Sequence, residues 1–97
     1  MRIKLEKAAK LDLLAIKDYY RDVGGNPLAV RMVRLIKSDI FSLLDYAAPP
    51  YELATGIRRL VVANGAYLVF HRVTKSAIEV LHIRRSERAP ATEKDME

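Results

Sequence analysis

Ninety-seven residues, 51% of them hydrophobic and 30% charged, make one domain with a real core and leave no room for a second. The chain is basic, with a net charge of +5, and its lack of cysteine excludes disulfide stapling, thiol nucleophiles and cysteine-based metal sites while favouring a reducing compartment. No apolar run approaches the roughly 20 residues that cross a bilayer. Met1-Arg2-Ile3-Lys4-Leu5-Glu6 alternates like a strand and does not resemble a secretory leader, so the expected location is the cytoplasm.

Behind that first strand, residues 8–23 set Ala9, Leu13, Ile16, Tyr20 and Val23 at steps of three and four, which predicts an amphipathic helix. Gly24-Gly25 ends it through glycine's tolerance of a left-handed conformation, and Asn26-Pro27 starts the next helix with an N-cap and a first-turn proline. The second helix is predicted from Pro27 to about Tyr46. Its inner face is read as Val30, Val33, Ile36, Ile40, Leu43 and Leu44, with Arg31, Arg34, Lys37 and Asp39 largely opposite. Pro49-Pro50 cannot continue it, so residues 47–55 form a connection that Tyr51 and Leu53 pin to the core.

From Gly56 the pattern turns β-rich, and three strands are predicted over residues 57–63, 66–73 and 77–84. Asn64-Gly65 reads as a two-residue hairpin turn, since both positions need positive φ, and Thr74-Lys75-Ser76 as a second short turn. The fold class is therefore α+β, ordered β-α-α-β-β-β: a twisted, mainly antiparallel sheet with a helical hairpin on one face and the other face partly open for function. One domain spans residues 1–90, and Ala91 to Glu97 reads as a disordered tail.

Charge is unevenly spread. Residues 1–46 carry nine Lys/Arg against six Asp/Glu, whereas residues 56–90 carry seven against Glu79 and Glu87. In that basic half, strand alternation sends Arg58 and Arg59 to opposite faces, and puts Tyr67, Val69 and His71 on one face with Leu68, Phe70 and Arg72 on the other. A lone strand histidine such as His71 is first a structural residue, although histidine is also the side chain suited to proton transfer near neutral pH. The densest cluster, His82-Ile83-Arg84-Arg85-Ser86-Glu87-Arg88, seeks an anionic partner; guanidinium forks fit phosphates and protein carboxylates equally well. A phosphate-binding glycine loop, a zinc pattern and a nucleophile elbow are all missing from the sequence, so neither cofactor nor metal is expected.

The opening strand, the helix Ala9-Lys10-Leu11-Asp12-Leu13-Leu14-Ala15-Ile16 with Tyr19-Tyr20 after it, and the meander segments Tyr67 to Val73 and Ile78 to Arg85 together resemble the RelE/ParE toxin superfamily. The resemblance runs from about Ile3 to Arg88. It implies a toxin held inactive by a cognate antitoxin that wraps across helices and sheet. Within the superfamily, RelE-like members cut messenger RNA on the ribosome and ParE-like members poison DNA gyrase. Two departures from the nuclease pattern point to the ParE-like branch and to a binder in place of an enzyme. Ala66, Tyr67 and Leu68 stand where the nucleases tend to carry an arginine after the turn glycine, and Ala89-Pro90-Ala91-Thr92 offers no terminal tyrosine or histidine. The resemblance then implies a target-binding set of Arg58, Arg59, Tyr67, Arg72, His82, Arg84, Arg85 and Arg88. On the nuclease alternative, with ribosome and mRNA as partners, the candidate catalytic residues are Arg85, His71 and His82.

Overall fold

The computed structural model describes residues 2–45 and 56–86. Tyr46, the predicted connection with Tyr51 and Leu53, Arg88 and the tail at 91–97 lie outside the described residues. Strand β1 (Arg2–Leu5) leads into helix α1 (Lys7–Gly24) and helix α2 (Asn26–Phe41); strands β2 (Arg58–Val62), β3 (Tyr67–Val73) and β4 (Ala77–Arg85) follow. They form one four-stranded sheet, ordered β1-β4-β3-β2, in which β1 runs parallel to β4 and the other pairings are antiparallel. The helix pair covers one face, α1 lying mainly on β4 and α2 on β2. Among the described residues no helix is long and apolar enough to cross a membrane.

The two helices meet at a single residue. Gly25 donates its N–H to the Arg21 carbonyl at 2.9 Å, closing α1, and accepts from Ala29 N at 3.2 Å, opening α2. Its φ of 88° and ψ of 172° fall in a region that is essentially glycine-only, an extended mirror-image conformation and not the left-handed helical one. The cap is thus Gly25 and not Asn26, which is already helical and makes no side-chain capping bond. So tight a joint brings the helices close, and Ala29 is the buried residue of the first turn of α2. Val30, roughly 100° further around the helix, points outward instead.

Ala9, Leu13 and Ile16 from α1 and Ile36 and Ile40 from α2 meet Val62, Val69, Val80 and Ile83 of the sheet to form the core. Val23 and Leu44 are exposed, and Tyr20 is half-buried at the edge. The α2 helix stops at Phe41 and tightens into a 3-10 turn over Ser42–Asp45, where the Ser42 hydroxyl donates to the Asp39 carbonyl.

The β2–β3 connection keeps the predicted Asn-Gly turn but is longer. Asn64 (φ 57°) and Gly65 (φ 95°) occupy its centre, and Ala66 N donates to Ala63 O at 3.1 Å. Ala63 itself has φ 55°, so the ladder closes one residue earlier, at Val62 and Tyr67. The Asp39 carboxylate explains this: it accepts the Ala63 N–H at 2.8 Å and turns it from the ladder towards α2.

Gly25→Ala meets only ordinary contact from Pro27, so its cost is conformational, about 1–3 kcal/mol. Ile36→Ala, which opens a hole in the core, is expected to cost about 2–5 kcal/mol. Urea unfolding followed by circular dichroism reads both; an Ala at position 25 with unchanged midpoint would show the joint to be unstrained.

Candidate target-binding face

A bulge in β4 decides which basic side chains reach solvent. Phe70 pairs with His82, and the next residue of β3, His71, pairs with Val80, so Leu81 is an extra residue on β4. On the helix side of the bulge Val80 and Ile83 both face the core, three positions apart instead of two or four. Beyond it, Ile83 and Arg85 belong to the covered face while His82 and Arg84 belong to the open one.

The bulge is held from α1. Past Val80, β4 has no pairing with β1, and the Ile83 N–H donates to the Asp12 carboxylate at 2.9 Å. The same Asp12 oxygen lies 3.5 Å from His82 Nδ1, and Arg84 Nη2 lies 3.2 Å from that nitrogen. In neutral His82, Nδ1 accepts from Arg84, so Asp12 fixes the strand, the strand fixes His82, and His82 steadies a guanidinium at the open surface.

Across the open face the register makes rows. Val61, Leu68 and Arg84 form one row, and Arg59, Phe70 and His82 the next. In a third, Arg72 binds Glu79 through Nε and Nη2 at 3.2 and 3.0 Å, with Lys4 on the far side of Glu79. The face thus carries Arg2, Lys4, Arg59, Arg72 and Arg84 against Glu79 alone among the strand residues. Val61, 56% exposed, and half-buried Leu68 and Phe70 form its apolar centre.

The covered face holds the rest of the sequence-derived set. Arg58 pairs with His71, and Tyr67 with Arg85. The Tyr67 hydroxyl donates to Tyr20 over a long 3.4 Å and accepts from Arg85 at 3.5 Å, and the Arg85 guanidinium sits 5.8 Å from the Tyr67 ring centre. Burial, aided by Tyr20, pushes the Tyr67 phenol far above its usual range against the pull of Arg85, so it stays neutral. The sequence expects Arg58, Tyr67 and Arg85 at a target surface with Arg59 and Arg84; pleat and bulge instead turn them under the helices, where Arg58 and Arg85 are half-buried and Tyr67 is 4% exposed.

His71 is fully buried, and neither ring nitrogen makes a hydrogen bond among the described residues. Burial holds its imidazole below the ordinary 6.5; the nearby Val69 backbone opposes this and the Arg58 charge adds to it. Arg85, His71 and His82 therefore do not converge on one site: two lie beneath the helices in different rows, and the third lies on the opposite face. Asp12, Asp39 and Phe70 are the residues that sequence reasoning missed. A carboxylate beside the core-facing Leu13 in the helix motif was the available signal for Asp12.

Two comparisons with known proteins agree. Residues 3–90 match the model of a family described as the ParE toxin of the type II toxin-antitoxin system, parDE. A solved chain described as the chromosomal ParDE TA system from P. aeruginosa is 30% identical, with a TM-score of 0.76 over 90% of this chain and 97% of that one. A search of curated protein sequences gave no match.

Two outcomes are expected. An unfolded chain protonates its histidine near pH 6.5 whereas native His71 resists, so the unfolded state binds more protons below that pH and stability falls as pH drops through it. The urea midpoint should therefore decline from pH 7.5 to 5.5, and His71→Leu should flatten that decline. Asp12→Ala should cost roughly 1–3 kcal/mol by stranding the Ile83 N–H, whereas Asp12→Asn, which keeps an acceptor oxygen, should recover most of that loss; equal effects of the two would remove the acceptor oxygen from the account.

Proposed function

The chain belongs to the ParE toxin family of type II toxin–antitoxin systems, and from that premise we propose that it arrests growth by binding and poisoning DNA gyrase, and that a cognate antitoxin neutralises it. The observation that carries the target reading is the open sheet face, where a row of cations surrounds an apolar centre and Arg84 is held through His82 by Asp12. Such a face suits recognition of a large anionic partner. It does not suit RNA cutting, because His71 and Arg85 lie beneath the helices and Tyr67 is too weak an acid to lose its proton and act as a base.

The antitoxin reading is supported by a second surface. Along the two helices and reaching the end of β1, contiguous depressions are lined by apolar Leu5, Leu13, Leu14, Val30 and Val33 together with Lys10, Lys17, Arg34 and Lys37. An amphipathic segment with an acidic edge fits it by shape and charge. Toxin and antitoxin would meet in the cytoplasm, which a cysteine-free chain tolerates without loss.

The test is a supercoiling assay with purified toxin and gyrase, scoring lost supercoiling and accumulated cleaved DNA. Arg84→Ala, which removes a charged contact, should raise the inhibitory concentration about tenfold or more, whereas Lys75→Ala in the β3–β4 turn should leave it unchanged. Intact gyrase activity together with cleavage of ribosome-bound mRNA would replace this reading with the nuclease one.

A further inference from the structure

The open sheet face has a composition that a purely electrostatic patch does not need. Arg59, Phe70 and His82 stand side by side in one cross-strand row, three planar groups about 4.8 Å apart from strand to strand. Leu68 and Arg84 occupy the adjoining row, two residues or about 7 Å along the strands. A purely electrostatic contact would need cations alone. A phenyl ring at the centre of the cationic rows instead suits a flat, π-bearing ligand that carries its negative charge beside the ring.

The geometry points to a single nucleic-acid strand as the ligand of this face, with a base stacked on Phe70 between Arg59 and His82 and a neighbouring phosphate on Arg84. Stacking platforms on open sheets, edged by cations that follow the backbone, hold single strands with little regard to sequence. Arg72 is not counted among the phosphate contacts, since Glu79 already binds it through two nitrogens. His82 Nδ1 is engaged by Arg84 and lies near Asp12, so the ring is steadied while its side chain remains 44% exposed. This inference rests on the face used in the gyrase reading and adds to it: within a gyrase–DNA complex, the toxin would hold an unpaired strand as well as protein.

Fluorescence anisotropy of the purified full chain with a labelled 12-nucleotide single-stranded DNA, without gyrase, tests it. Binding is expected to weaken as salt rises, with Arg84→Ala lowering the magnitude of the slope of log affinity against log salt by about 0.7. Phe70→Ala should weaken binding about tenfold or more. Should that variant fold poorly, Phe70→Leu keeps apolar bulk and should still lose affinity, and Phe70→Trp should restore it. A matched RNA strand in a parallel arm tells which sugar is preferred, and preference for either supports the proposal. Absence of binding at low salt overturns it. So does binding that Phe70→Leu leaves intact and that a polyglutamate of equal charge displaces as well as DNA does; that pattern would assign the face to an acidic protein. Because gyrase is absent from the measurement, strand binding without gyrase inhibition would count against the gyrase reading alone.

Discussion

Two helix carboxylates hold the places where the sheet departs from regular pairing, and the rest of the structure depends on them. Asp12 of α1 takes the Ile83 N–H at 2.9 Å, where β4 outruns β1 and bulges, and Asp39 of α2 takes the Ala63 N–H at 2.8 Å, where the β2–β3 ladder closes early. Each is a hydrogen bond to a charged acceptor, worth about 1.5–3 kcal/mol net. Each also satisfies a donor that the irregularity would otherwise strand. The hydrophobic core brings helices and sheet together, but these two bonds fix how the helices are registered on the strands.

That registration sorts the basic residues into two chemical populations. Arg58 and Arg85 lie beneath the helices beside His71 and Tyr67, where burial suppresses ionisation of both the imidazole and the phenol. Arg59 and Arg84 lie on the open face with Phe70 and His82. Neighbouring arginines in the sequence, 58 with 59 and 84 with 85, therefore do different work: one of each pair belongs to the half-buried layer and the other to a surface that a macromolecule can reach.

The basic character of the chain is also shared between two surfaces. The groove along the helix pair is lined by Lys10, Lys17, Arg34 and Lys37, and the open sheet face is the one the helices leave uncovered. On the functional reading proposed above, an antitoxin that silences the toxin from the helix side must either reach round to the sheet or act through the α1 contacts at Asp12.

Much of the fold was legible in the sequence because it is written in local chemistry. The three-and-four spacing of Ala9, Leu13 and Ile16, the glycine pair at 24 and 25, the Asn64-Gly65 turn and the alternation of Tyr67, Val69 and His71 each dictate their own few residues. The family was legible for the same reason, carried by the helix motif and the meander strands. What the sequence did not determine lies in contacts between elements. The bulge at Leu81 is set by Asp12, seventy-one positions before the Ile83 amide it binds, and no alternation rule applied to β4 would place His82 opposite Phe70 and Ile83 in the core. The membership of the candidate site follows from that one residue of register: pleating sends side chains to alternate faces, so a single inserted residue exchanges the faces of all that follow, and only the packed helix decides whether the insertion is there.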